Sequence, residues 1–188
     1  MTGKIANRLR SFAACAKGAT AVEFALMSPF LIAMIGGVVD IGGAIAVRGA
    51  MDSSLSASVH YTLSNADKVS VAGGGDLAGK ALVVAVGGLD RKSGQAALAI
   101  NGKTAASYAG GTVTVSQADP RFDQCFCPSV GEDGVSWGPQ TACSFPCPQG
   151  GYAGKFVSIE MSQRANPLFK GVVAPDGLVS SRTMVQVQ

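Results

Sequence analysis

The sequence has few charged and few aromatic side chains. Charged residues make up 14% and aromatic residues 6% of its 188 positions, whereas an average soluble domain is about 25% charged. Disordered chains combine low hydrophobicity with high charge, and this chain has a positive mean hydropathy of +0.30. A disordered tail protein is therefore excluded. The sequence has one histidine, His60, and we expect it to be a surface or half-buried side chain and not a ligand.

A basic face of the kind that binds nucleic acids is also missing. The net charge is +3, but Lys4, Arg8, Arg10 and Lys17 all precede the first acidic residue. Without residues 1–18 the net charge is −1. Because DNA binding requires a concentrated basic surface, we expect no nucleic-acid partner, and we assign the positive charge to a leader.

A long apolar segment follows this leader. Residues 24–39 carry no charge, Asp40 interrupts the run, and apolar residues continue to Val47, just before Arg48. At about 1.5 Å per helical residue, residues 24–47 span roughly 36 Å, and a bilayer's hydrocarbon layer is about 30 Å thick. The segment thus crosses a membrane if Asp40 lies near one interface; a soluble core helix is the alternative. The excess of cations before the segment predicts a cytoplasmic N-terminus.

The most specific pattern is the junction between the leader and this segment, Lys17-Gly18-Ala19-Thr20-Ala21-Val22-Glu23-Phe24. A carboxylate at the centre of a membrane helix costs on the order of 2.5–3.5 kcal/mol. Cleavage after Gly18 would free an α-amino group on Ala19, and residues four apart share one face of a helix. That ammonium group, or the one of a neighbouring subunit, would neutralise Glu23. A Glu23 side chain that only extends to the headgroups fits the pattern equally well.

These residues resemble the cleavage site of type IV prepilins, which are cut between a glycine and the residue at +1 and carry a glutamate at +5. The segment 18–51 is similar to the N-terminus of TadE-like pseudopilins of the tight-adherence (Flp) pilus system. The features that carry this resemblance are Glu23-Phe24, Pro29, Asp40 and Arg48. Paired cysteines and the segments 166–169 and 184–188 match more loosely, and residues 52–120 match nothing specific. Ala19 departs from ordinary pilins, in which an aromatic residue is commoner.

The resemblance implies a structural minor pilin or pseudopilin, without enzymatic activity or cofactor, that is needed to assemble the pilus. It implies a single-pass protein of the inner membrane with a periplasmic C-terminal domain. Its expected partners are a prepilin peptidase, which cuts between Gly18 and Ala19, other pilin or pseudopilin subunits, inner-membrane assembly proteins and the lipid bilayer. Glu23 is the expected pairing residue in assembly. Whether the protein enters the filament or stays at its base is left open.

The rest of the chain predicts an α+β, pilin-like fold with a long N-terminal helix on an antiparallel sheet of three or four strands. Met51, Leu55, Val59 and Leu63 recur every four residues, which predicts that the first helix continues to about Asn65. A short second helix is expected over residues 76–86, with Asp76 as its N-cap. Three segments alternate as strands do, namely 112–117, 155–162 and 178–187, and a further strand is expected near 97–101. The expected division is a leader at 1–18, a transmembrane helix at 19–47 and a periplasmic domain at 48–188.

The cysteines form a compact group in this domain. Cys15 lies in the leader, whereas Cys125, Cys127, Cys143 and Cys147 fall within a Gly- and Pro-rich loop, 125–147. An even number of cysteines in an exported domain favours disulfides. Three pairings are possible, and we favour links between the two arms because one intervening residue leaves little room for a bridge within the first arm. A zinc site is the alternative, although a C-x-C pair is tighter than usual zinc spacing.

Two motifs resemble enzyme sites but lack essential parts. Residues 74–80 have P-loop spacing, but Ala81 stands where a Ser or Thr should bind magnesium. Residues 134–138 spell G-x-S-x-G, but they lie between cysteines and no histidine follows. We therefore expect no catalytic residues. The alternative functions are an uncleaved single-pass membrane protein with an extracytoplasmic ligand-binding domain and, more remotely, a secreted hydrolase cut after Ala46.

Overall fold

The computed structural model describes residues 18–131, 134–165, 168 and 177–187. Its first element is a single helix, α1, which comprises the 46 residues Ala19–Ser64 and is about 69 Å long at 1.5 Å per residue. The predicted helix end near residue 65 is confirmed, because Asn65 is the C-cap. The leader before Gly18, including its four cations and Cys15, lies outside the described residues.

Helix α2, Gly74–Ala85, packs against the C-terminal half of α1. The Ser58 hydroxyl of α1 donates a hydrogen bond to the carbonyl oxygen of Ala81 at 2.7 Å, and both residues are fully buried. The predicted N-cap is wrong, because Gly73 holds that position. Asp76 lies within the first turn instead and accepts a hydrogen bond from Lys80 at 2.7 Å, which is an i, i+4 pair along the helix surface.

The buried face of α1 differs from the one that the four-residue spacing predicts. Met51 and Leu55 are buried as expected, but Leu63 is 46% exposed. Because an α-helix has 3.6 residues per turn, a strict spacing of four rotates gradually around it. The buried face continues instead through Ser58 and Thr62, both 0% exposed. The prediction for Leu63 was wrong because it followed apolar side chains, whereas the helix buries two hydroxyl groups.

In the described part of the chain, nine strands follow the helices. Their bounds are β1 Gln95–Ile100, β2 Lys103–Ala109, β3 Thr112–Val115, β4 Cys125–Phe126, β5 Ser129–Gly131, β6 Gly134–Ser136, β7 Gln140–Thr141, β8 Phe156–Arg164 and β9 Leu178–Gln186. Five of them form an antiparallel sheet in the order β3-β2-β1-β8-β9. The predicted α+β fold with a long N-terminal helix is confirmed, and so are the four predicted strands, within a few residues. The sheet has five strands instead of three or four.

The additional strand is β2. Its sequence, KTAASYA, contains three alanines and a lysine among seven residues, and both residue types are depleted in strands. The sequence of the turn before β2 does indicate a strand there. Asn101 and Gly102 connect β1 to β2 with φ values of 50° and 79°, and an Asn-Gly pair is the strongest short hairpin signal in a sequence. Gly110 and Gly111 make the same kind of connection to β3, with φ values of 58° and 86°.

The hydrophobic core lies between the two helices and one face of the sheet. Burial alternates along β1 and β8, as expected for strands with one covered face. The larger core side chains are Met51, Leu55, Leu77, Leu82, Leu98, Ile100, Val157, Ile159 and Met161. The sheet and α2 thus cover the distal half of α1 and leave its first half outside the domain.

Candidate functional site

The candidate site is the start of α1, where the leader meets the helix. Gly18 is the N-cap residue, and no side chain caps the helix there. A Cβ atom placed on Gly18 would meet nothing within 4 Å. The peptide bond between Gly18 and Ala19 therefore lies at an open end of the helix, clear of the folded domain.

Glu23 lies one helical turn after Ala19 and is exposed. Because both residues belong to α1, positions 19 and 23 share a face of the helix, as their spacing predicts. In the part of the chain that the structure describes, no side chain forms an ion pair or hydrogen bond with the Glu23 carboxylate. The carboxylate is thus presented outward from an otherwise apolar stretch.

The turns that follow Glu23 expose apolar side chains in every direction. Phe24, Leu26, Phe30 and Val38 are 62–74% exposed, although all are large and apolar. Among the residues with described positions, α1 is the one helix long and apolar enough to cross a membrane. Soluble monomers rarely expose so large a continuous apolar surface. These turns could therefore span a membrane.

Asp40 connects the helix to the distal part of the chain. It is only 7% exposed, and its carboxylate accepts a hydrogen bond from the backbone N–H of Leu168 at 2.7 Å. Leu168 lies between β8 and β9 in the chain. The domain therefore reaches α1 before Val47, the end of the membrane helix that the apolar run predicts.

The segment that contains Gly18, Glu23 and Asp40 matches a known protein family. Residues 18–59 match the model of the TadE-like protein family. The N-terminal segment is TadE-like. The resemblance drawn from Gly18, Glu23 and Asp40 is confirmed over this range. No curated protein and no solved structure matches the chain.

The distal part of the chain lies beyond the TadE-like match. The looser likeness at 166–169 and 184–188 is therefore not tested by it, and Asn166, Pro167 and Phe169 lie outside the described residues. The cysteine-rich loop also lies beyond the match. This loop is therefore a feature that the domain adds to the TadE-like segment.

Two disulfides link the arms of the cysteine-rich loop. Cys125 bonds to Cys143 and Cys127 bonds to Cys147, with Cα–Cα distances of 5.1 and 5.6 Å. Both bridges join one arm to the other, which is the type of pairing that the sequence favoured. All four sulfurs are then engaged in covalent bonds, so none of them is a thiolate ligand in this structure.

We expect these bridges in the exported protein. In a protein from which residues 1–18, including Cys15, are removed, denaturation without reductant should expose no free thiol, and reduction should release four. Thiol titration of the denatured protein beside metal analysis measures this. Four free thiols together with bound zinc in the unreduced protein would contradict the pairing and favour the zinc alternative.

Asn101 anchors the cysteine-rich loop to the sheet, a role that sequence analysis missed. This fully buried side chain donates from Nδ2 to the carbonyl oxygens of Arg121 and Gln124, at 2.7 and 2.8 Å, and accepts from the N–H of Phe156 at 2.9 Å. These partners flank the loop at both ends. The Asn-Gly turn that reveals β2 therefore also fixes where the loop leaves and rejoins the sheet.

The two enzyme-like motifs are parts of ordinary structural elements. Residues 74–80 belong to helix α2, where Lys80 pairs with Asp76. Residues 134–138 include β6, and its Ser136 is exposed. His60 is exposed on α1, with its Nδ1 atom 3.4 Å from the hydroxyl of Ser64. Over the described ranges, no group of three or more His, Cys, Asp or Glu residues is arranged to hold a metal ion.

Proposed function

We propose that this chain is a structural, non-enzymatic minor pilin or pseudopilin that is needed to assemble a tight-adherence pilus. One observation carries the proposal: the TadE-like segment contains both the open Gly18 junction and the exposed apolar turns of α1. A helix that is half covered by its own domain and half bare suits a subunit that must leave the bilayer and pack with others. The alternative is an uncleaved single-pass protein with an extracytoplasmic ligand-binding domain.

The proposed topology places the leader in the cytoplasm and the domain in the periplasm. The leader cations support this orientation, because positive charge is retained on the cytoplasmic side of a membrane. The two disulfides also support it, because such bonds persist in oxidising compartments, including the bacterial periplasm. The first half of α1 then lies in the inner membrane, where its exposed apolar side chains contact lipid.

The proposed processing step is removal of residues 1–18 by a prepilin peptidase. The free α-amino group of Ala19 would then lie one helical turn from Glu23. This group, or the one on an adjacent subunit, neutralises the carboxylate in a low-dielectric environment, where an ion pair has few alternative partners. The same apolar turns that anchor the unassembled protein would pack against other pilin or pseudopilin subunits and against inner-membrane assembly proteins.

The N-terminal residue of the mature protein tests this proposal. We expect Ala19 in wild-type cells and the intact leader in cells that lack the prepilin peptidase. Mass spectrometry of the protein purified from both strains measures the difference. An intact leader in wild-type cells would favour the uncleaved membrane protein, whereas a mature chain starting at Val47 would indicate a secreted protein.

A further inference from the structure

A groove separates α1 from the membrane-facing end of the sheet. Its volume is about 620 Å³. On one side it is lined by α1 residues between Val39 and Val47, and on the other by the turn at 90–93 and the end of β8 at 163–165. The groove therefore opens where the bare half of α1 meets the domain.

The turn at 90–93, which forms one wall of the groove, is hydrogen-bonded to β8. The carboxylate of Asp90 accepts hydrogen bonds from the N–H groups of Lys92 and Ser93, at 2.8 and 3.0 Å. These bonds, from Ser93 first and then Lys92, lower the pKa of Asp90 below its usual value. The N–H of Asp90 itself donates to Oε1 of Gln163 at 2.7 Å. The Asp90 carboxylate is thus hydrogen-bonded within its own turn.

Three cations near the groove form no ion pair with the described residues. Lys92 and Arg164 line the groove and are exposed, and Arg91 is exposed next to them. Across residues 18–131, 134–165, 168 and 177–187, no carboxylate lies within ion-pair distance of any of the three. The carboxylate of Asp40 also lines the groove, but it is buried against the N–H of Leu168. Among the described residues that line the groove, Lys92 and Arg164 therefore carry exposed positive charge that no ion pair neutralises.

The depth of the groove in a membrane follows from the length of helix before it. Ala19–Val39 contains 21 residues and is about 31 Å long, which matches a hydrocarbon layer of about 30 Å. With Ala19 at the cytoplasmic boundary, Val39 lies at the periplasmic boundary. Lys92 and Arg164 then lie at the level of the lipid headgroups.

We propose that this groove binds the phosphate headgroup of an anionic phospholipid from the periplasmic leaflet. The chemistry fits, because Lys is a compact point charge for phosphate and Arg offers a fork of donors that binds it bidentately. The side chains of Ser93 and Gln163 add polar partners at the same level. The bound headgroup fixes how deeply the domain sits on the membrane. This inference depends on α1 crossing the membrane, as proposed above.

Lipid retention by the full chain tests the site. The protein is reconstituted into nanodiscs of equal parts phosphatidylcholine and phosphatidylglycerol, released into mild detergent, and weighed with its retained lipids by native mass spectrometry. Each cation near an anionic surface supplies roughly a fivefold preference, so we expect wild-type protein to retain phosphatidylglycerol at least fivefold over phosphatidylcholine. Lys92→Gln/Arg164→Gln should reduce that ratio to about one.

The matched control is Lys80→Gln/Lys103→Gln, which removes the same charge from two exposed positions that do not line the groove. It should keep the wild-type ratio. An equal loss of preference in the control, or an unchanged ratio in Lys92→Gln/Arg164→Gln, would overturn the site. Stable insertion of wild-type protein without lipid preference would refute the headgroup site alone, whereas failure to insert at all would refute the membrane-spanning helix of the proposed function as well.

Discussion

Replacing Gly18 with arginine is expected to leave the protein heavier by its 18-residue leader and still bound to the membrane. A pilin-type peptidase needs a small residue where the chain enters its active site, and the leader cations hold this junction at the cytoplasmic face. A long cationic side chain at Gly18 would block entry. The folded protein should tolerate it, because no atom lies within 4 Å of a Cβ placed there.

Immunoblotting of membrane fractions measures the mass and the location of the variant. The matched control is Gly18→Ala, which adds only a methyl group at the same open position and should still be trimmed. Normal trimming of Gly18→Arg would contradict the prepilin assignment. A variant absent from the membrane fraction would show that residue 18 affects insertion and not cleavage.

Replacing Glu23 with glutamine is expected to abolish piliation while leaving trimming and insertion intact. Glutamine keeps the size of the side chain and removes its charge, so insertion into the bilayer should become slightly easier. The variant loses the charge that would pair with the α-amino group of Ala19 or of an adjacent subunit. In a low-dielectric environment no other group replaces that contact.

The measurement combines an immunoblot for the mature form with a count of surface filaments by electron microscopy. Asp67→Asn is the matched control, because Asp67 is an exposed carboxylate in a short 3₁₀ helix that follows α1. That variant should form filaments normally. Undiminished piliation in cells that make only Glu23→Gln would mean that the carboxylate merely extends to the headgroups.

Features that depend on neighbours in the sequence could be predicted. Local patterns of charge and hydropathy indicate the TadE-like junction around Gly18, the end of α1 at Asn65 and four of the nine described strands. The sequence also favoured bridges between the two cysteine arms, because a single residue, Phe126, separates Cys125 from Cys127. It could not choose between the two cross-arm pairings, since that choice depends on how the loop folds back on itself.

Features that depend on distant partners could not be predicted. The hydrogen bond between Asp40 and Leu168 joins residues 128 positions apart, and nothing near Asp40 in the sequence indicates it. The burial of Ser58 and Thr62 depends on α2 lying against them, which a search for apolar side chains overlooks. The role of Asn101 is of the same kind: its Asn-Gly turn is local, but its three partners lie 20 to 55 positions away.

β9 is the last strand in the described part of the chain, so its contacts with α1 can form only late in synthesis. β9 pairs with β8 along nine register positions and also contacts α1, where Ser181 donates to the carboxylate of Asp52 at 2.5 Å. During synthesis α1 emerges first, and more than a hundred residues must follow before β9 can close over it. Contacts between such distant parts of a chain form slowly. The face of α1 that β9 covers therefore stays uncovered until then, in a window in which a chaperone or another subunit can reach it.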